Sequence, residues 1–235
     1  MRTILISGAN GGIGLKIAHK LLSEGNKVSL GIRDIKSLND SLIDPKRWPK
    51  DQIFINHYDA LDQNSSQDWI TNTINKFGNF DTLINCAGIF SKVPFLYKDE
   101  EKDEIERIMK INFLSIWDLC RLSWNNLCLS KNGRIITLVS MSGKRSKGDL
   151  AAYSSSKFAL MGLCQTMRNN GWHQNIRVTA ICPSWVNTKM ASKVESIKKE
   201  AMTQPEDIAQ LCSTILKLPK QSVPFELSVN CNLEI

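Results

Sequence analysis

A cluster of glycines near the start of the chain restricts the fold more than any other segment. Ser7-Gly8-Ala9-Asn10-Gly11-Gly12-Ile13-Gly14 follows the apolar run Thr3–Ser7 and opens a helical pattern over 12–24. The run reads as a buried strand and the pattern after it as a helix. Gly8 suits the tight turn, Gly12 lets the backbone approach a diphosphate, and Gly14 lets the helix pack on the strand. A helix starting there aims unpaired N–H groups and the positive end of its dipole at such an anion. The start of the chain is thereby committed to a βαβ unit.

The same alternation continues to the end. Apolar runs at 27–32, 53–57, 82–87, 134–139, 177–182 and 226–229 are separated by helical patterns near 35–43, 65–76, 101–129, 153–170 and 205–217. Strands rich in Ile, Val and Leu between helices predict an α/β fold, a Rossmann-type doubly wound parallel sheet of about seven strands with helices on both faces. No repeat, low-complexity tract or linker interrupts the 235 residues, and 42% of them are hydrophobic, so one domain over 1–235 is expected. Ligands of such sheets sit beyond the carboxyl ends of the strands. The stretch 101–129 reads as the longest helix. Trp117 and Trp124 share a face there with Cys120 and Cys128, suited either to packing on the sheet or to a subunit interface.

Composition narrows the function classes. The net charge of +7 is scattered, apart from Lys144, Arg145 and Lys147. That fits a solvated basic face and attraction for an anionic cofactor, not a nucleic-acid stripe. The seven cysteines form no Cys-x-x-Cys pair and no histidines cluster near them, so reduced thiols and no metal site are expected. No apolar run is long enough to span a membrane, and the first residues read as a strand, not a signal peptide. A cytoplasmic protein is the expectation.

Chemistry is concentrated in Tyr153-Ser-Ser-Ser-Lys157. Residues four apart on a helix lie on one face. A lysine ammonium at roughly 6 Å and an effective dielectric of about 20 would favour the phenolate by about 2–3 kcal/mol. That would bring a tyrosine from its usual pKa of about 10 toward a usable general acid/base. Ser140, thirteen residues upstream, is placed to hold a substrate oxygen against the tyrosine, with Ser142 as its rival. The second strand ends at Ile32 with Arg33 next, where an acidic residue would accept from a ribose 2′-OH. An arginine suits a 2′-phosphate and points to NADP(H) over NAD(H), although Asp34 adjoins it.

Taken together these residues resemble the short-chain dehydrogenases/reductases, in their form of about 250 residues, over nearly the whole chain. The family's Thr-Gly-x-x-x-Gly-x-Gly appears as Ser7 to Gly14, its Asn-Asn-Ala-Gly as Asn85-Cys86-Ala87-Gly88, and its aspartate after the third strand as Asp59. Its catalytic tetrad matches Asn112, Ser140, Tyr153 and Lys157. Its Pro-Gly with a downstream threonine appears as Pro183-Ser184-Trp185-Val186-Asn187-Thr188. Ser184 replaces a glycine, Cys86 an asparagine, and the ending Leu227 to Ile235 lacks the usual Gly-Gly, which departs from the standard tetramer.

The resemblance implies a hydride-transferring oxidoreductase acting on a carbonyl compound or secondary alcohol. Tyr153 would be its general acid/base. Lys157 would lower the tyrosine pKa and hold the nicotinamide ribose, and Asn112 would position a water. Cofactor contacts would come from Gly8, Asn10, Gly12, Ile13, Gly14, Arg33, Asp59, Ala60, Asn85, Ala87, Gly88, Tyr153, Lys157, Pro183, Ser184, Val186 and Thr188. A homodimer or homotetramer is expected, with no nucleic-acid or membrane partner. The alternative is a non-catalytic NADP-binding sensor or scaffold. A lid is expected over 188–201. There Met190, Val194 and Ile197, with Met202 just beyond, would offer an apolar surface, and Lys189, Lys193, Lys198 and Lys199 a basic one. Phe90, Val93, Phe95 and Trp185 are candidate pocket residues.

Overall fold

A computed structural model of the protein describes residues 1–38, 41–146, 148–192 and 194–232. Lys147, Lys193 and the last three residues of the expected tail lie outside the described residues. Seven strands form one parallel sheet in the order β3-β2-β1-β4-β5-β6-β7. They are β1 (Thr3–Ser7), β2 (Lys27–Ile32), β3 (Ile53–His57), β4 (Thr82–Asn85), β5 (Gly133–Leu138), β6 (Ile176–Pro183) and β7 (Glu226–Val229). The helices are α1 (Gly12–Ser23), α2 (Gln63–Phe77), α3 (Lys102–Met109), α4 (Ser115–Leu129), α5 (Ala151–Gly171) and α6 (Pro205–Lys217).

Side-chain alternation along each strand divides the core in two. Ile4 and Ile6 of β1 face one layer with Ile17 and Leu21 of α1 and Ile208 and Ile215 of α6. Leu5, between them, faces the other with Trp69 of α2, Leu119 of α4 and Leu160 of α5. The strand order reverses between β1 and β4, and a crevice opens at their carboxyl ends.

Three expectations change in detail. The pattern at 35–43 predicts a helix, yet only a 3-10 turn, Ile35–Leu38, forms among the described residues. Asp34 Oδ1 accepts from Lys36 N–H at 3.1 Å and Ser37 Oγ donates to the Asp34 carbonyl at 2.5 Å. These short polar side chains offer the backbone a competing arrangement. β4 ends two residues before Ala87, because the Cys86 and Ala87 N–H groups turn toward Ser7 Oγ at 3.3 and 3.4 Å. The stretch 101–129 is helical but contains a π turn, Lys110–Leu114, between α3 and α4.

The tryptophan face also divides. Cys120 is buried, and Trp124 Nε1 donates to Gln174 Oε1 at 2.6 Å. Trp117 is half exposed, as is Leu114, and the Phe113 ring lies tilted against it with centroids 5.6 Å apart.

β2 and α2 approach most closely at a glycine. A Cβ on Gly31 would stand 2.6 Å from the ring of Trp69, a fully buried side chain whose Nε1 donates to Ser29 Oγ at 2.9 Å. Gly31→Ala is therefore expected to destabilise the protein by about 1–3 kcal/mol through overpacking. Urea unfolding measures this, and a loss under about 0.5 kcal/mol would mean that the indole shifts freely.

Candidate active site

The turn after β1 is built around its glycines. Gly8 has φ +66°, and a Cβ there would stand 2.7 Å from the Ala87 nitrogen. A Cβ on Gly12 would stand 2.6 Å from Thr188 Cγ2, so only glycine keeps this side of the turn open. Gly14 is buried against the Gly8 carbonyl. Gly11, at the N-cap of α1, has no side-chain cap, which leaves the first N–H groups of that helix available to an anion.

The residues expected along the strand ends fall into two sets. Asn10 donates to Ser37 Oγ at 3.0 Å beside Arg33, which is exposed where β2 ends. Asp59 Oδ1 accepts from Leu61 N–H at 3.0 Å, and Ala60 packs on the core. Ile13, Ala87, Gly88, Pro183, Ser184, Val186 and Thr188 line one open cleft. Asn85 does not line it. That amide is buried and donates to Thr137 Oγ1 at 3.2 Å and Cys120 Sγ at 3.4 Å, tying β4 to β5 and α4. Ser184 also has work inside the fold. Its N–H donates to the Val229 carbonyl at 2.8 Å and its Oγ accepts from Cys231 N–H at 3.0 Å.

Ser140, Tyr153 and Lys157 meet on the wall of this cleft. Ser140, two residues beyond the end of β5, has φ 124° and ψ 155°, a conformation that costs a non-glycine residue about 1–3 kcal/mol. Its Oγ accepts from Ser142 N–H at 3.1 Å. The short turn Met141–Gly143 presses on α5, where a Cβ on Gly143 would stand 2.6 Å from the Lys157 carbonyl oxygen. That docking holds Ser140 against Tyr153, whose ring packs edge-on to Phe90 at 5.0 Å. Ser142 lines the cleft too, but its N–H serves Ser140.

Tyr153 and Lys157 are only 8% and 5% exposed. Burial raises the Tyr153 pKa, and its hydrogen bond with Ser140 pulls the other way. Burial also lowers Lys157 to about 8. Lys157 Nζ donates to the Leu138 carbonyl at 3.1 Å and stands 5.8 Å from the centre of the tyrosine ring. In place of the expected depression by the lysine, burial sets the direction of the tyrosine shift. Both groups are desolvated, and desolvation disfavours each charged form.

Asn112 lies in the π turn and is fully buried. Its Oδ1 accepts from Ile89 N–H at 2.8 Å, and its Nδ2 donates to the Ile89 carbonyl at 2.9 Å and Ser156 Oγ at 3.1 Å. It clamps the loop that follows β4. A Cβ on Gly88 would stand 3.3 Å from Asn112 Oδ1 and 3.7 Å from Lys157 Nζ, so this loop passes directly over the lysine.

Of the expected pocket residues, Phe90 and Trp185 line the cleft, whereas Phe95 is 81% exposed and Val93 is buried in a small cluster with Tyr153. In the lid, Met190 and Ala191 face the cleft. Lys189, Lys198 and Lys199 are exposed and off its wall. Arg145 lines the cleft, where sequence reasoning had grouped it only with its basic neighbours. Among the described residues no group of three His, Cys, Asp or Glu side chains could hold a metal ion, and no helix is long and apolar enough to cross a membrane.

A family model described as short chain dehydrogenase matches residues 2–199. The chain is similar to an agropine synthesis reductase of Rhizobium rhizogenes, 34% identical over 231 residues, which covers 98% of this chain and 53% of that protein. An acetoacetyl-CoA reductase of Allochromatium vinosum is 26% identical over 223 residues and 88% of each chain. Among solved structures, a betaketoacyl-ACP reductase from Bacteroides thetaiotaomicron superposes with a TM-score of 0.82 at 29% identity, covering 97% of this chain and 96% of that one. The chain spans about half the length of the agropine synthesis reductases it matches.

Proposed function

This chain belongs to the short-chain dehydrogenase/reductase family, and from that premise we propose that residues 1–235 act as one NADP(H)-dependent unit reducing a ketone or aldehyde to an alcohol. The observation that carries the proposal is the meeting of Ser140, Tyr153 and Lys157 on one cleft wall at the carboxyl ends of the strands. The turn at Gly8–Gly14 fits a dinucleotide, because the open side of Gly12 and the uncapped start of α1 suit a diphosphate. A nicotinamide cofactor bound there supplies the hydride.

The chain's own groups do the rest. Ser140 Oγ holds the substrate carbonyl oxygen and Tyr153 donates its phenolic proton to it as the carbonyl carbon is reduced. A tyrosine kept above its ordinary pKa holds that proton through neutral pH. Lys157, its Nζ 5.8 Å from the centre of the tyrosine ring, supplies positive charge nearby as charge develops on the oxygen. Asn112 positions the loop at Gly88 and Ile89 that covers Lys157.

Preference for the 2′-phosphate rests on Arg33, with the hydrogen-bonded pair Asn10–Ser37 beside it. The neighbouring Asp34 accepts the Lys36 N–H at its Oδ1, 3.1 Å away. Titration with NADPH and NADH, followed by nicotinamide fluorescence, tests the assignment. Arg33→Ala is expected to weaken NADPH binding by roughly 10- to 100-fold, the range of a lost charge-assisted bond, and to leave NADH within about threefold. Equal weakening of both would remove Arg33 as the phosphate reader. Binding of neither by the wild-type protein would overturn the proposed function.

A further inference from the structure

Two groups of large apolar side chains line the cleft together with Ser140 and Tyr153. Phe90, from the loop after β4, and Leu150, just before α5, belong to a small apolar cluster that contains Tyr153 itself and is separate from the two main layers of the core. Trp185 and Met190 come from the segment after β6. Met190 is 53% exposed and the other three are half-buried. Apolar surface left uncovered inside a cleft, around a few polar groups, is what a small-molecule site offers an apolar ligand.

Several polar groups on the same wall are turned to partners in the fold. Ser184 Oγ accepts from Cys231 N–H at 3.0 Å, and Thr188 Oγ1 donates to the Val186 carbonyl at 3.4 Å. Lys157 Nζ donates to the Leu138 carbonyl at 3.1 Å, and Arg145 has an interaction of its own within the chain. A ligand rich in hydroxyls would give up its water against such walls with little return. A ligand with one polar oxygen, held between Ser140 and Tyr153, keeps its hydrogen bonds and buries the rest.

We propose that the substrate is a carbonyl compound with one extended apolar group, and that Phe90, Leu150, Trp185 and Met190 seat that group while Ser140 and Tyr153 hold the carbonyl oxygen. The substrate class rests on the reductase assignment above, whereas the apolar seat can be measured without turnover. Phe90 has two duties in it, because its ring also packs on Tyr153, 5.0 Å away. Met190 is the member of the seat that tests it most directly, because so exposed a side chain carries little of the core.

Two measurements separate seat from reaction. In the first, 2-butanone, 2-pentanone, 2-hexanone and 2-heptanone are titrated calorimetrically into the protein saturated with NADP⁺, which has no hydride to give. Affinity is expected to rise by about threefold per added methylene. In the second, kcat/KM with NADPH is measured for the same series and is expected to rise by roughly 30-fold from the shortest ketone to the longest. 5-Methoxy-2-pentanone, which has the length of 2-heptanone with an ether oxygen in place of one methylene, is expected to fall below it by more than about fivefold. Met190→Ser is expected to lower kcat/KM for 2-heptanone by roughly fivefold more than for 2-butanone.

Turnover of a series that stays flat or falls with chain length overturns the substrate class and leaves the reductase assignment standing. Equal use of 2-heptanone and its methoxy counterpart also overturns it, as does a Met190→Ser protein of unchanged melting temperature that keeps the full rise with chain length. Binding that tightens along the series, without turnover of any member, keeps the apolar seat and overturns the reductase assignment instead. Neither binding nor turnover of any ketone overturns both.

Discussion

Tyr153→Phe is expected to lower kcat by roughly 100- to 10,000-fold, the usual contribution of a positioned general acid. NADPH binding and fold should survive. The ring keeps its place against Phe90, 5.0 Å away, and the lost hydroxyl deprives only Ser140 of a partner in that contact. The change should therefore appear in kcat with the cofactor Kd within about twofold, which is how a contact made in the transition state differs from uniform binding. Single-turnover oxidation of NADPH, with nicotinamide fluorescence as the binding control, makes the comparison. A phenylalanine variant that keeps more than about a tenth of wild-type turnover would move the proton donor elsewhere.

Lys157→Met is expected to inactivate the protein and make it more stable. The folded lysine has its pKa lowered by burial from 10.5 to about 8. At pH 7 it is still charged in both states, and the folded state bears a cost of about 3 kcal/mol. Methionine removes that cost and leaves the Leu138 carbonyl without its bond, a loss of about 1 kcal/mol. The net gain of about 2 kcal/mol corresponds to a rise in Tm of about 4–8 °C.

The sign follows from proton counts. Between pH 8 and 10.5 the unfolded lysine keeps a proton that the folded lysine has lost, so this group makes wild-type stability rise with pH across that window. The methionine variant should lack that component. Thermal melts at pH 7 and pH 9 give both readings, and a lower Tm for the variant at pH 7 would contradict a strained ammonium. Together with the backbone of Ser140, held at φ 124°, this places two destabilising features within the same few side chains.

The sheet was legible in the sequence because parallel strands buried on both faces leave continuous apolar runs, and those runs are punctuated by glycine and polar turns. The cleft residues Ser140, Tyr153 and Lys157 were legible from spacing. What spacing does not carry is environment. An exposed tyrosine–lysine pair would depress the phenol, whereas a buried pair does not. Asn85 sits within a recognisable motif, yet it faces the sheet interior, a consequence of where β4 ends. The run at 35–43 has helical periodicity, but Asp34 and Ser37 bind its backbone first. Arg145 looked like one of several surface cations, because only the docking of the turn at Met141–Gly143 brings it to the cleft.

The π turn at Lys110–Leu114 acts on phase as well as on Asn112. Ile108 in α3 and Leu127 in α4 are both fully buried. At about 100° per residue, the nineteen steps between them would leave the two side chains about 100° apart around an unbroken α-helix. A turn that takes in one extra residue restores them to the same side. The extra residue behaves as an insertion absorbed without lengthening the hydrophobic stripe. Deleting one residue between 110 and 114 would give a smoother helix and a worse protein. Either Asn112 would swing off Ile89, or Leu119 and Cys120 would rotate out of the core, so this segment has a fixed length although nothing in its composition marks it.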